Sequence, residues 1–237
     1  REISGVFDYF WNSDWAVPIS ALVDRAYTKE DLETTSENVR QLIAAGNYPY
    51  PLDQDVSTLR SDLFSIRDQL IWAPGEIVWD DPDAIQDGRQ AGKLITALHN
   101  KIDTLQSELL MEAAYFIIRE RGVETSRRLK ERGVKVRVLT NSLSANDVLA
   151  AHAGYSKTRR ELFENGVEVY EWRPDAGTVK QRNDSTDSKT GLHAKALVFD
   201  RESVFIGSYN LDPRSANINT EAGLYVESPE LAEQVAA

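Results

Sequence analysis

Residues 192–199 read Leu-His-Ala-Lys-Ala-Leu-Val-Phe and vary with a period of two. This period is typical of a β-strand, because successive side chains of a strand point to opposite faces of the sheet. We therefore predict a strand on which His193, Lys195 and Leu197 share one face. The imidazole and the ammonium group then point the same way.

A second apolar run, Ser-Val-Phe-Ile-Gly at residues 203–207, follows a turn around Asp200. Two short apolar runs joined by a tight turn predict a β-hairpin. The returning strand would carry Ser208 and Asn210 to the side of His193. The hairpin thus gathers polar groups at its open end.

These groups suit the transfer of a phosphoryl group. His193 can act as a nucleophile or as an acid-base, and Lys195 offers a compact cation to phosphate oxygens. The side chains of Ser208 and Asn210 are neutral donors that can hold the phosphate during an in-line displacement. This chemistry needs no metal site, and we predict none and no cofactor.

Glu221 follows in Glu-Ala-Gly-Leu-Tyr-Val, a third strand-like run. We predict that its carboxylate accepts a hydrogen bond from the second ring nitrogen of His193 and so fixes the tautomer of the ring. A His-x-Lys pair alone is more typical of an ordinary sheet edge. The addition of Asp200, Ser208 and Glu221 at these offsets favours a site.

With these residues in hand, the chain resembles the second half of a phospholipase D superfamily protein. The signature of that superfamily is His-x-Lys-x4-Asp followed by Gly-Ser-x-Asn, found here within residues 187–214, and the resemblance covers about 107–237. Further phrases resemble the branch of bacterial cardiolipin synthases and related phospholipase D-like proteins. They are Thr-Asn-Ser-Leu at 140–143, His-Ala-Gly-Tyr at 152–155, Asn-Leu-Asp-Pro-Arg-Ser at 210–215 and Asn-Thr-Glu at 219–221.

The resemblance implies an α/β fold, a phospholipase D-like half-domain with a mixed β-sheet flanked by helices. It also implies catalysis through a phosphohistidine, with the second-half histidine, here His193, as the general acid and base. Lys195, Asp200 and Glu221 would complete the catalytic group. Within that group, we expect Asp200 to brace the hairpin rather than to contact the substrate.

The function implied is phosphatidyl transfer between phospholipids, which is the synthesis of cardiolipin, at the surface of the bacterial cytoplasmic membrane. Two alternatives stay open. One is hydrolysis, by a phospholipase D or a nuclease-type phosphodiesterase. The other is an inactive half-domain, since one histidine cannot fill both catalytic roles at once.

Two further residues are candidate substrate contacts. Asn141 follows a predicted strand, where ligands of α/β sheets tend to bind, although asparagine is equally common in turns. His152 lies in a predicted helix that follows the same rim. The residues alone favour a structural role for His152, and the resemblance makes substrate contact an equal alternative.

Composition narrows these choices. The chain of 237 residues has a net charge of −11, and residues 1–100 hold 8 Lys and Arg against 17 Asp and Glu. This acidity disfavours nucleic acid as a partner, because nucleic-acid domains carry a basic surface.

The chain has no cysteine, which excludes disulfides, thiolate nucleophiles and cysteine-based zinc sites. No apolar stretch is long enough to span a membrane, so attachment would be peripheral.

We divide the chain into a helical connector at 1–72 and the catalytic half at 73–237. Residues 7–15 resemble the connector that follows the first motif in such proteins, and that motif is absent here. We therefore interpret the chain as an internal fragment, truncated at both ends, whose partner is the missing first half of the same polypeptide. A homodimer is the less favoured alternative.

Periodicity predicts helices at about 28–45, 53–69, 90–105, 122–132, 144–165 and 229–237. Strands are predicted at about 76–79, 108–116, 134–140 and 167–173. We expect the aromatic cluster of residues 7–22 to be core, and Leu59, Leu63 and Ile66 to form the buried face of the second helix. The carboxylates of residues 80–83 are predicted to be solvated in a turn, and 175–189 to be a surface loop.

Overall fold

The structure is a computed structural model that describes residues 1–24, 26–45, 56–67, 69–86, 92–174 and 191–237. Within these residues, seven strands form a single sheet in the order β1-β7-β6-β5-β2-β3-β4. The strands are β1 Gly75–Trp79, β2 Glu108–Ala113, β3 Lys135–Asn141, β4 Val167–Trp172, β5 Lys195–Phe199, β6 Ser203–Gly207 and β7 Ala222–Glu227.

The sheet is mixed, as predicted. The strands β2, β3 and β4 run parallel, because a helix follows each of the first two and carries the chain back across the sheet. The other neighbours are antiparallel, including the β5–β6 hairpin. The hairpin therefore joins a parallel half of the sheet to an antiparallel half.

The helices lie close to their predicted positions. The described residues form α1 Glu2–Trp11, α2 Lys29–Ala44, α3 Val56–Arg67, α4 Asp83–Gln86, α5 Lys93–Thr104, α6 Glu120–Glu131, α7 Leu149–Glu164, α8 Pro213–Asn217 and α9 Pro229–Ala236, with a 3₁₀ turn at Ile19–Ala21. A capping box between Thr28 and Asp31 starts α2. Helix α7 begins at Leu149, later than predicted, because the Asn146 side chain accepts the N–H of Val148 in a turn, at 3.0 Å.

The main core lies between the sheet and the three helices α5, α6 and α7. Leu94 and Leu98 of α5, Leu129 of α6 and Tyr155 and Leu162 of α7 are buried there against the strands. On the opposite face, α9 covers a smaller cluster with Ala232 against Val198 and Val204. The β5–β6 hairpin thus has buried side chains on both faces, and its polar residues lie at its ends.

Two consecutive residues of the hairpin turn, Asp200 and Arg201, have positive φ angles of 51° and 57°. Aspartate tolerates this left-handed conformation better than most residues, whereas for arginine it is uncommon. The guanidinium of Arg201 bonds to Glu108 of β2, and to Glu233 of α9 at 2.6 Å. These contacts tie the turn to both of its neighbours.

The predicted burial of the connector is wrong at most positions. Phe7, Trp11, Trp15 and Leu22 are exposed, although Phe10 packs against Trp79 with ring centroids 5.9 Å apart. The reason is that α1 rests on β1 by one face, so its opposite face is open to solvent.

Leu63 and Ile66 of α3 are also exposed, which contradicts their predicted burial, and the side chain of Leu59 lies outside the described residues. The predicted loop at 175–189 lies outside them as well. Among the helices that the structure describes, none combines the length and the apolar character that a membrane span requires.

Candidate active site

His193 and Lys195 lie together at the open end of the hairpin. Strand β5 begins at Lys195, and His193 precedes it, yet the two side chains meet as predicted. The Lys195 Nζ is 3.4 Å from the His193 Nε2 and 3.1 Å from the His193 carbonyl oxygen. The imidazole is exposed, so it is free to meet a substrate.

The contact between the two side chains depends on the tautomer of the ring. A lysine ammonium group only donates hydrogen bonds, so the two groups form one when the His193 proton is on Nδ1 and Nε2 accepts. The ring nitrogen that faces Lys195 is Nε2.

The charge of Lys195 is set by opposing effects. Partial burial lowers the pKa of its ammonium group, while the carboxylates of Glu221, Asp147 and Asp212 act in the opposite direction. Asp147, which the sequence did not single out, also accepts a hydrogen bond from the Tyr115 hydroxyl at 2.9 Å. Burial outweighs the three carboxylates, so the pKa of Lys195 lies below its usual value.

Glu221 does not contact His193 as predicted. Its carboxylate accepts a short hydrogen bond from the Ser208 hydroxyl and another, of 3.0 Å, from the Asn219 amide. Both oxygens are therefore occupied, and the described contacts of the His193 ring are with Lys195. The structure corrects the predicted contact of Glu221, which bonds to Ser208 instead of His193.

Asp80 accepts a hydrogen bond from the backbone N–H of Glu221. The sequence does not predict this contact. It was predicted to be solvated, but it is 2% exposed. Its two carboxylate oxygens accept the N–H of Leu94, at the start of α5, and the N–H of Glu221, at 3.0 and 3.2 Å. A carboxylate is stable there because the first N–H groups of a helix favour negative charge. In the sequence, Asp80 is one of three acidic residues in the same turn, with Asp81 and Asp83. No sequence pattern distinguishes the buried Asp80 from these two neighbours.

Asn210 lies beside Ser208 and carries an unpaired atom. Its side-chain oxygen is buried and, among the described residues, has no hydrogen-bond partner. A rotation of the amide by 180° exchanges its oxygen and its nitrogen. The unpaired position can therefore either accept or donate a hydrogen bond. Buried polar atoms are rarely left unpaired, and this one fits the predicted contact with a ligand.

Asn141 contacts the backbone instead of a substrate. It is 3% exposed, its amide N–H groups donate to the carbonyls of Ala114 and Leu192 at 3.1 and 2.9 Å, and its oxygen accepts the N–H of Leu192 at 2.8 Å. Gly191 completes the clamp, since a Cβ there would lie 2.8 Å from the Ala145 carbonyl oxygen. Asn141 therefore positions the residue before His193, and its contact with a substrate stays a prediction.

Asp200 occupies the other end of the hairpin. It accepts hydrogen bonds from the backbone N–H groups of Gln106, Ser107 and Glu108 at 2.7 to 2.9 Å, and from the Ser107 hydroxyl at 2.8 Å. Burial tends to raise the pKa of this carboxyl, but these bonds outweigh it and hold the pKa below its usual value. The contacts agree with the predicted bracing role.

His152 contacts aromatic residues of its own helix. Its ring meets Tyr155 edge-on, with centroids 5.6 Å apart, and its Nδ1 is buried without a partner among the described residues. No described contact links it to His193. The structure therefore leaves the substrate contact of His152 as a prediction.

The amino-acid sequence of residues 98–237 matches the family described as cardiolipin synthase, PLD-like domain. Cardiolipin synthase C of Escherichia coli is 38% identical over 170 residues, which are 70% of this chain and 36% of that protein. Cardiolipin synthase B of the same organism is 26% identical over 159 residues, 65% of this chain and 33% of that protein. The chain spans little more than a third of the length of these two relatives.

The fold is also similar to that of phosphatidylserine synthase from Haemophilus influenzae. The TM-score is 0.54 at 16% identity, and the match covers 99% of this chain and 50% of that one. At this identity the likeness concerns the fold alone. The family match extends over more than half of the chain and includes the hairpin with its histidine. The chain therefore belongs to the family of cardiolipin synthase, PLD-like domains, within the phospholipase D superfamily.

Proposed function

We propose that this chain supplies the acid-base half of a phosphatidyltransferase that joins phospholipids into cardiolipin. The observation that carries the proposal is the pair of His193 and Lys195, an exposed imidazole whose Nε2 lies 3.4 Å from an ammonium group. Family membership and the identity to cardiolipin synthase C support the choice of reaction.

The reaction proceeds in two displacements at phosphorus. A histidine from the other half attacks, the P–N bond forms as the bond to the leaving alcohol breaks, and His193 gives its proton to the departing oxygen. An acceptor hydroxyl then gives its proton to His193, its oxygen bonds to phosphorus, and the P–N bond breaks. The second displacement requires a neutral His193 ring, which is the form that remains after the first.

Lys195, Ser208 and Asn210 hold the phosphate during both steps. The ammonium group balances the charge on the phosphate oxygens, and the Asn210 amide donates to them. The single O–H of Ser208 is donated to Glu221 in this structure, so the serine donates to the phosphate when this bond is exchanged for one to the substrate. Contacts of His152 and Asn141 with the lipid stay predictions.

The partners proposed are phospholipids at a membrane surface and the other half of the site. The whole protein would work as a peripheral enzyme of the bacterial cytoplasmic membrane. The exposed aromatic face of α1 and the short share of its relatives that the chain spans support a second half in the same polypeptide. Pairing of two copies of this chain is the alternative, and its activity would rise with protein concentration.

Hydrolysis is the second candidate reaction. His193 and Ser208 are both exposed, so water can reach the phosphorus as well as a lipid hydroxyl can. A phospholipase would then release phosphatidic acid. The acidic character of the chain disfavours nucleic acid as the substrate.

The test uses the whole protein with phosphatidylglycerol vesicles and identifies the lipid products by mass spectrometry. His193→Gln should slow cardiolipin formation by about 10²- to 10⁴-fold, the usual contribution of a general acid-base. Arg160→Ala, an exposed change on α7, is the matched control and should not alter the rate. Cardiolipin formed at the normal rate by His193→Gln would contradict the role of His193. Phosphatidic acid without cardiolipin would establish the hydrolase instead.

A further inference from the structure

A cavity of about 460 Å³ lies between the sheet and the helices α5 and α6. The cavity is partly open to solvent. Its volume falls in the range of roughly 300–1,000 Å³ that small-molecule sites occupy. Neither His193 nor Lys195 is among the residues that line it.

The interior of the cavity is hydrocarbon. Aliphatic and aromatic side chains from both helices and from the strands line it, among them Ile95, Ile102, Met111, Phe116, Leu129 and Val136. An apolar cavity does not hold ordered water well, and it accepts apolar ligands. The lining therefore selects a hydrocarbon chain or another apolar group.

The rim of the cavity is cationic. Arg119 and Arg121 belong to its lining and are exposed, and within the described part of the chain neither guanidinium has an ion-pair partner. Arg127 and Arg137, in contrast, are each paired with a glutamate. Burial first, and the charge of Arg121 second, lower the pKa of His99, another rim residue. Asp212 is the one carboxylate among the residues that line the cavity, and it accepts the N–H groups of Arg214 and Ser215, so the lining carries two cations against one anion.

One wall of the cavity is the back of the phosphate-holding segment. Tyr209 and Leu211 line the cavity, and they alternate with Ser208 and Asn210 of the candidate active site. The Ile117 N–H fixes this segment by a hydrogen bond of 2.7 Å to the Leu211 carbonyl oxygen. An occupant of the cavity would therefore support the segment that holds Ser208 and Asn210.

We propose that the cavity binds one acyl chain of an anionic phospholipid, with the phosphate of that lipid held at the rim by Arg119 and Arg121. The apolar interior matches the acyl chain. The two unpaired guanidinium groups match the phosphate, since their planar donors fit two phosphate oxygens at once. The site concerns binding and not the chemistry of His193, so it can be tested without activity.

The experiment is a calorimetric titration of the chain carrying His193→Gln with lysophosphatidylglycerols of increasing chain length, below their micellar concentrations. Affinity should rise about fourfold for each added CH₂ until the cavity is full. A free fatty acid of equal chain length should bind more weakly. Tighter binding of the fatty acid would overturn the assignment to a phospholipid.

Three variants locate the site. The double change Arg119→Ala and Arg121→Ala should weaken binding by at least about tenfold, because each charged hydrogen bond contributes that much. Arg160→Ala removes an exposed arginine outside the cavity and should have no effect. Thr96→Trp, at an exposed position of α5 on the rim, should block entry.

Each result bears on the proposal. Thermal unfolding of every variant shows whether it is folded, and the arginine variants keep the test valid if Thr96→Trp is not. The absence of binding at any chain length would overturn the proposal. The proposal would also be overturned if neither the double arginine change nor Thr96→Trp weakened binding. Equal weakening by the control Arg160→Ala would overturn it as well. Cardiolipin synthesis could still fail or succeed independently of either result.

Discussion

The two ends of the β5–β6 hairpin carry residues of one motif and differ in how far their polar groups are satisfied. At the closed end, Asp200 accepts four hydrogen bonds from residues 106–108. At the open end, His193 is exposed and contacts only Lys195 among the described residues, and Asn210 has an unpaired buried oxygen. The closed end is complete in itself, whereas the open end has capacity left for a ligand.

This difference separates stability from chemistry within a single signature. A polar group that the protein fully satisfies contributes to folding, and its removal leaves its partners without those hydrogen bonds. A polar group with spare capacity contributes to binding and costs little to remove. The motif therefore predicts opposite behaviour for two residues that the sequence presents as equals.

The largest expected effect on stability is at the closed end. Asp200→Ala removes the acceptor of three backbone N–H groups and should lower the free energy of unfolding by about 2–4 kcal/mol. Urea unfolding followed by circular dichroism measures it. Asp62→Ala, at an exposed position of α3, is the control. A loss below 1 kcal/mol, on the order of a surface substitution, would mean that the two ends do not differ.

Asn141→Ala should have the next largest effect, a loss of about 1–3 kcal/mol, because three hydrogen bonds disappear and the backbone groups of Ala114 and Leu192 lose their partner. The same unfolding experiment measures this loss. The change lies behind the open end and should also loosen His193. Unchanged stability would show that water replaces the amide.

Lowering the pH should remove part of the stability that Asp200 gives to the folded chain. Its pKa is lower in the folded chain than its usual value of 3.8, so the carboxylate stabilises the fold above that pH and ceases to do so as the pH falls through the folded pKa. The stability difference between the natural chain and Asp200→Asn should therefore shrink below about pH 4. A difference that stays constant from neutral to acid pH would argue against a charged brace.

The smallest effect on stability is expected at the open end. His193→Ala should change the free energy of unfolding by less than about 0.5 kcal/mol, as for other exposed positions. The comparison with Asp200→Ala then separates the two ends most clearly. A loss as large as that of Asp200→Ala would place His193 among the structural residues.

The sheet could be predicted from the sequence because its signals are local. A period of two marks β5, and the alternation of strands with helical periods marks β2 to β4. The meeting of His193 and Lys195 follows from the same spacing. These features depend on residues close together in the chain.

The contacts of the candidate site depend on distant residues and escaped prediction. Asp80 and Glu221 are 141 positions apart, and nothing near Asp80 indicates that a strand from the other end of the chain will cover it. Glu221 was assigned to His193 because both suit a catalytic pair, but Ser208 is its neighbour across the β6–β7 ladder. The exposed faces of α1 and α3 have the amphipathic pattern of buried helices, and a pattern does not reveal whether a partner is present.

The pairing of β1 with β7 sets an order of assembly. The first strand of the sheet joins the last, from Gly75 opposite Val226 to Trp79 opposite Ala222. While the chain is being synthesised, β1 has no strand partner in the described sheet until the residues of β7 have left the ribosome. Asp80 and Glu221 meet only then, so the Glu221 side of the candidate site is among the last parts of the protein to form. Premature termination anywhere before β7 would leave the His193 hairpin without this support.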